Sequence, residues 1–167
     1  MHAAEAAEAR FRQGYSCSQA VFSALGELWG VPLPLSLRIG AGFGGGMART
    51  AGVCGAVTGA LMALGLAQSS VSPEENRTER EKTYARCRRF LERFAERHGS
   101  LVCRDLLGCD ISTPEGYAEA HQRNLTRTVC PPFVRDAVQI TLDLLHEEGI
   151  TPHVWAPADT PAPRSAD

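Results

Sequence analysis

The chain has 167 residues, of which 44% are hydrophobic and 22% are charged, and its formal net charge at pH 7 is −2. This length and composition are typical of one ordinary soluble domain with enough apolar side chains for a core. The charge is close to neutral and no long block of Lys or Arg is present, so nucleic-acid binding is not indicated. We expect the arginine cluster Arg86, Arg88 and Arg89 to form the solvent-facing side of a helix.

The N-terminal segment contains two glutamates and two arginines within its first twelve residues and lacks an apolar stretch of signal-peptide length. The longest apolar run, Val53 to Ala67, has fifteen residues, fewer than the ~20 that a membrane span requires. We therefore expect a cytoplasmic protein without membrane insertion. In that compartment thiols are kept reduced, so six cysteines indicate metal or redox chemistry rather than structural disulfides.

The first half of the chain carries helix-start signals. Ser16 and Gln19 form a capping-box pattern, which predicts a helix that is ended by Gly30. The segment Leu33 to Ile39 looks partly like a strand. Because it contains a proline, it is better interpreted as the start of a helix or as an extended connection.

The second half repeats such signals. Ser72, followed by Pro73 and Glu75, predicts the start of a long helix, and the segment 112–115 repeats this arrangement. Pro131 is expected at the first position of a last helix that ends near Gly149. Apolar residues between these starts recur in steps of three and four, as in the series Tyr84, Cys87, Leu91, Phe94.

The sequence thus predicts an all-α fold, a compact single-domain bundle of six or seven helices over residues 1–150. Residues 151–167 are rich in proline and alanine and are poor in side chains that could join a core. We predict that this segment is a disordered tail.

Four of the six cysteines fall at predicted helix starts or caps. Unpaired backbone N–H groups and the positive end of the helix dipole stabilise anions there. A thiolate is such an anion, so these positions are expected to lower the cysteine pKa. The four candidate metal ligands are Cys17, Cys54, Cys103 and Cys130.

The other two cysteines are interpreted differently. Cys87 lies inside the long helix on its apolar stripe, where a free cysteine behaves as a small hydrophobic residue. Cys109 follows Gly108, which is expected to end the helix that Cys103 opens. Cys109 could be a fifth metal ligand or a resolving thiol.

A glycine-rich loop precedes Cys54. Gly40, Gly42 and Gly45 form a G-x-G-x-x-G pattern, but no preceding strand or acidic partner accompanies it, so NAD binding is not expected. We expect Gly55 and Gly59 to allow close backbone approach beside Cys54 and to belong to a cofactor-binding face. The same small-residue face could instead serve a homodimer, which we also expect.

The cysteine segments resemble a known family of redox-active proteins called C_GCAxxG_C_C. The resemblance runs from about Glu8 to Glu147 and is carried by GYSCSQAVF, the segment 42–66 with its CGAVTG element, ERHGSLVCRDLLGCDISTPEG and CPPFVRDAVQI. It implies a compact helical domain whose four defining cysteines map onto Cys17, Cys54, Cys103 and Cys130. A related domain occurs with an iron–sulfur centre in a multihaem cytochrome, which favours an iron–sulfur cluster here. Haem is not expected, because the C-x-x-C-H motif is absent.

Three functions are compatible with these features. In the first, the four thiols bind an iron–sulfur cluster or zinc for electron transfer or sensing, together with a redox partner protein. In the second, the protein performs metal-free thiol–disulfide exchange, with Cys54 and Cys17 as catalytic cysteines. In the third, the cysteines only pack within a non-catalytic scaffold.

Overall fold

The computed structural model describes residues 2–154 of the chain. This part contains nine α-helices, two short 3-10 helices and no strand, so the predicted all-α class is confirmed. The helices are α1 (Ala3–Arg12), α2 (Cys17–Gly26), α3 (Leu33–Gly40), α4 (Gly55–Gly65), α5 (Asn76–His98), α6 (Cys103–Leu107), α7 (Pro114–Gln122), α8 (Leu125–Thr128) and α9 (Cys130–Glu147); the 3-10 turns are Glu27–Trp29 and Ala41–Phe43.

Several predicted helix starts lie where the sequence signals placed them. The Ser16 hydroxyl accepts a hydrogen bond from the Gln19 backbone N–H, and the Gln19 side-chain oxygen accepts one from the Ser16 backbone N–H, as a capping box requires. The long helix α5 begins at Asn76, four residues later than the Ser72 signal predicts, and the Ser72 hydroxyl accepts a hydrogen bond from the Glu75 N–H in the turn before it. The segment from Leu33 forms the helix α3, with Pro34 in its first turn. The count of nine helices exceeds six or seven because α6 and α8 have only five and four residues.

The centre of the bundle is α2, which packs against α1, α3, α4 and α9. Its residues from Ala20 to Gly26 are all buried, and α4 is almost equally enclosed. A Cβ atom at Gly59 would lie 2.9 Å from the Ser18 carbonyl oxygen and 3.0 Å from the Val21 side chain. The small-residue face of α4 is therefore covered by α2 of the same chain and is not available to a second copy. The expected homodimer stays a prediction.

The arginine cluster on α5 does not form a uniformly solvent-facing side. Arg86 is buried, and its Nε donates to a Glu148 carboxylate oxygen at 2.8 Å; Arg89 pairs with both Glu147 and Glu148. The expectation was wrong for Arg86 because the acidic end of α9 packs beside this face of α5. Tyr84 is also more exposed than its place in the apolar series suggested.

The end of the described chain extends beyond α9 without helix. The His153 ring lies edge-on to Trp29, and the Val154 side chain lies close to Gly30. Residues 155–167, most of the predicted tail, lie outside the described residues. Within residues 2–154, no helix combines the length and the apolarity needed to cross a membrane.

Substituting Gly59→Ala should lower the free energy of unfolding by about 1–3 kcal/mol, because the added methyl group must displace α2 from α4. Gly65→Ala in the same helix is the matched control, since a Cβ there meets no atom within 4 Å. The control should leave stability unchanged or raise it by up to about 1 kcal/mol. Urea unfolding of both variants measures the difference, and equal effects would contradict the close contact.

Candidate functional site

Four cysteines occupy the first turns or caps of four helices. Cys17, Cys103 and Cys130 are the first residues of α2, α6 and α9, and Cys54 is the residue that precedes α4. The helix-start placement that the sequence predicts is therefore the placement in the structure. These four helix ends converge on one side of the bundle.

An antiparallel backbone bridge brings two of the four together. Val53 pairs with Val102, and the flanking hydrogen bonds run from Cys54 N–H to the Leu101 carbonyl at 2.8 Å and from Cys103 N–H to the Gly52 carbonyl at 2.6 Å. Successive side chains in extended backbone point to opposite faces. Val53 and Val102 are exposed on one face. Cys54 and Cys103, one residue further on each segment, therefore share the inner face.

Close packing at Gly55 joins this pair to Cys17. A Cβ atom at Gly55 would lie 3.0 Å from the Ser18 nitrogen and 3.2 Å from the Cys17 Cβ. Cys17 in turn is hydrogen-bonded through its thiol to Cys130 at the start of α9. The four sulfurs thus lie near one another, with Cys17 beside Cys130 and with Cys54 and Cys103 on the same face of the bridge.

The four cysteines line one cavity of about 720 Å³. Gly55 also lines it, whereas Gly59 lies one turn further along α4 and packs against α2. The cavity wall is otherwise largely apolar, and its larger side chains are Phe11, Tyr15, Leu106, Leu107, Ile111 and Phe133. The volume falls within the range of about 300–1,000 Å³ that is usual for small-molecule sites.

Burial determines the protonation of most of these thiols. It raises the pKa of Cys54 to about 11. The backbone N–H groups of Ala56 and Val57 act to lower this pKa, but their effect is smaller than that of burial, and the Cys54 side chain makes no standard capping hydrogen bond. Burial, together with the nearby sulfurs Cys54 and Cys130, raises the pKa of Cys103 to about 12. The expected lowering of the pKa by the helix ends is therefore wrong for these two cysteines, because loss of hydration outweighs the helix-end effect.

The pKa values of the Cys17 and Cys130 thiols shift in opposite directions. The hydrogen bond to Cys130, followed by burial, raises the pKa of Cys17 well above its usual value, so the expected lowering is wrong for Cys17 as well. The hydrogen bond that Cys130 accepts from Cys17 lowers the pKa of Cys130, against the opposing effect of burial. Of the four cysteines, the Cys17–Cys130 pair therefore releases a proton first.

The loop before Cys54 adopts an unusual left-handed conformation. Gly45, Gly46, Met47, Ala48 and Arg49 have consecutive φ angles between 51° and 69°. A left-handed conformation costs a non-glycine residue roughly 1–2 kcal/mol. The Thr50 hydroxyl donates to the carbonyls of Gly46 and Met47, at 2.7 and 2.8 Å, which holds the turn closed.

This turn is packed directly against the site. A Cβ atom at Gly46 would lie 2.6 Å from the Gly52 nitrogen and 2.8 Å from the Cys103 Cβ, so only glycine fits. Gly45, Ala48 and Arg49 line the cavity. Strained backbone of this kind is commonly concentrated at functional sites.

The remaining cysteines lie outside the cavity wall. Cys109 is buried beside α6, and its thiol donates to the Gly116 carbonyl at 3.7 Å. It is close enough to contribute to the raised pKa of Cys103. Cys87 is partly buried at the edge of the main core, where burial raises its pKa, in agreement with a packing role.

Sequence reasoning missed the charged part of the cavity. Arg49, Arg127 and Tyr117 line it, and the Arg49 guanidinium lies 4.3 Å from the centre of the Tyr117 ring. Helix-start signals cannot identify these residues, because two of them belong to the left-handed turn and to the short helix α8. The glycine run was the only sequence signal near Arg49.

The sequence is similar to a described protein family and to an archaeal protein. The sequence profile of the family described as "Putative redox-active protein (C_GCAxxG_C_C)" matches residues 15–144, a range that contains all four cavity cysteines. A protein of Archaeoglobus fulgidus named "Uncharacterized protein" is 29% identical over 140 residues, which cover 80% of this chain and 86% of that protein. No solved structure matches the chain significantly.

The unequal protonation predicts an order of thiol reactivity in the reduced chain without bound metal. At neutral pH, Cys130 should react with iodoacetamide faster than Cys54 and Cys103, since alkylation requires the thiolate. Cys17→Ala removes the hydrogen-bond donor and should slow alkylation of Cys130 severalfold. Cys17→Ser keeps an O–H donor and should slow it less. Peptide mass spectrometry over time measures these rates, and a Cys130 rate equal in all three proteins would contradict the pairing.

The left-handed turn predicts a stabilising glycine substitution. Ala48→Gly should raise the free energy of unfolding by about 1 kcal/mol, because glycine adopts this conformation without the cost. The control Ala85→Gly, at an exposed position within α5, should lower it by about 0.5–1 kcal/mol. The comparison is made by urea unfolding. If Ala48→Gly is as destabilising as its control, the turn is not strained.

Proposed function

The chain belongs to the C_GCAxxG_C_C family, and we propose that its four cavity cysteines bind an iron–sulfur cluster with two irons, used for electron transfer or redox sensing. The observation that carries this proposal is the grouping of four cysteine sulfurs around one cavity. A cluster of this type is held by four cysteine thiolates.

The chemistry of the donor set supports the fit. Thiolates are the ligands that iron–sulfur clusters select, and four of them enclosed together repel one another unless a cation is present. Within residues 2–154, no three Cys, His, Asp or Glu side chains are grouped closely enough to surround a single metal ion. The four cavity sulfurs would therefore have to draw closer together when a cluster binds. Four cysteine thiolates are the usual ligand set of a cluster with two irons.

The surrounding residues would prepare the sulfurs for this role. When bound, the cluster supplies one-electron transfer. The N–H groups of Ala56 and Val57 favour negative charge on the Cys54 sulfur, and hydrogen bonds of this kind tune cluster potential. All four thiols must lose their protons to act as ligands, so binding should weaken as the pH falls. Cys130 requires the least change, because its pKa is already lowered.

The fold would hold the ligands in place before the cluster binds. The bridge at Val53 and Val102 fixes Cys54 relative to Cys103, and the close contact at Gly55 fixes α4 relative to Cys17. The ligands are widely separated in sequence, so a site of this kind depends on the folded bundle. A backbone already folded around the site also limits rearrangement on a change of charge, which suits exchange of electrons with a redox partner protein.

The thiol contact between Cys17 and Cys130 favours a second candidate, metal-free thiol–disulfide exchange. In that case Cys130 would be the attacking thiolate, not Cys54, whose pKa is about 11. Cys17 and Cys130 would together lose two electrons and two protons to an external disulfide, which would be reduced to two thiols.

The experiment is anaerobic purification followed by iron and sulfide analysis and visible absorption. The proposal predicts two irons and two sulfides per chain with broad absorption above about 400 nm, as expected for thiolate-bound iron–sulfur clusters. Alanine substitution of Cys17, Cys54, Cys103 or Cys130 should remove most of the iron. Cys87→Ala and Cys109→Ala are the matched controls and should retain it. A colourless, iron-free protein would contradict the proposal, and one reversible disulfide between Cys17 and Cys130 would favour the second candidate.

A further inference from the structure

The cavity that contains the four sulfurs has a cationic side that cluster binding does not use. Three arginines line it, namely Arg12, Arg49 and Arg127, and no Asp or Glu is among its described lining residues. Arg12 is paired with Glu8 at 2.7 Å, which offsets its charge. The chain as a whole has more acidic than basic side chains, so this concentration of positive charge is local.

The other two arginines are available for a ligand. Arg49 and Arg127 are both exposed, and neither forms an ion pair with any residue in the range 2–154. By contrast, the arginines of α5 that face α9 are paired with Glu147 and Glu148. A guanidinium group without a carboxylate partner retains its full capacity to bind an oxyanion through two parallel hydrogen bonds.

Arg49 is also held in place by its backbone and by an aromatic ring. It is the last residue of the left-handed turn, where its φ angle is 63°. Its guanidinium lies over the Tyr117 ring of α7, a cation–π arrangement that leaves the edge of the guanidinium free to donate. Strain concentrated at a residue that lines the cavity is a second observation, independent of charge, that points to a role for Arg49.

We propose that this cavity binds a small organic oxyanion, one with a carboxylate or phosphate group, through Arg49 and Arg127. Its apolar body would lie against the aromatic wall that includes Phe11, Tyr15 and Phe133. The cavity volume of about 720 Å³ is sufficient for such a molecule. This inference deepens the proposed function, because it places an anionic small molecule beside the four sulfurs. Its redox interpretation rests on that proposed function. Binding itself does not require the cluster.

The test is a ligand-observed NMR titration of the anaerobically purified full chain with phenyl phosphate. Benzyl alcohol is the neutral comparison, since it has the aromatic ring without the anion. The variants are Arg49→Gln and Arg127→Gln, with Arg88→Gln on the exposed face of α5 as the matched control for loss of one positive charge. Arg127 lies on α8, so its variant tests the site without disturbing the left-handed turn.

Phenyl phosphate should bind more tightly than benzyl alcohol, and each of the two cavity variants should weaken it about tenfold, as is usual for loss of a charge-assisted hydrogen bond. Arg88→Gln should bind like the unmodified chain. The inference is overturned if both cavity variants bind phenyl phosphate normally, if Arg88→Gln weakens it equally, or if benzyl alcohol binds as tightly.

Iron content and absorption, recorded on the same samples, separate this inference from the proposed function. An iron-free chain that binds phenyl phosphate through Arg49 and Arg127 would contradict the cluster and support the anion site. A chain with two irons and no arginine-dependent binding would support the cluster and contradict the anion site.

Discussion

Two backbone hydrogen bonds, from Cys54 to Leu101 and from Cys103 to Gly52, join segments that are nearly fifty residues apart. They place two sulfurs on the same face of an isolated antiparallel bridge, with Val53 and Val102 on the other face. The left-handed turn leads into this bridge, and α6 begins at Cys103, directly after it. These two hydrogen bonds hold together one side of the cavity that contains the four cysteines.

The small residues around α4 complete the arrangement. Gly55 and Gly59 allow α4 to lie against α2 at distances that a side chain would prevent. This contact brings Cys17 next to the pair on the bridge, and α9 adds Cys130 through its contact with α2. Thiols enclosed together in one cavity are costly to ionise, as the pKa values of Cys54 and Cys103 illustrate. A bound cation would offset this cost, which is the physical reason for favouring a cluster over four free thiols.

Much of this arrangement could be predicted from the sequence, and the exceptions have identifiable causes. Capping residues such as Ser16 are local signals, so helix starts and the placement of the four cysteines at them could be predicted. The left-handed conformation of Met47, Ala48 and Arg49 could not be predicted, because these residue types carry no preference for it and only tertiary contacts impose it. The burial of Arg86 depends on the distant end of α9. The direction of the thiol pKa shifts likewise required knowledge of burial, which outweighs the effect of a helix end.

The central claim is that Cys17, Cys54, Cys103 and Cys130 hold two irons together. Native mass spectrometry of the anaerobically purified chain tests it most directly, because it weighs the intact protein with what it binds. We expect a mass excess of two irons and two sulfides, which is lost on Cys103→Ala and kept on Cys109→Ala. A chain that carries no excess mass before either substitution would contradict it.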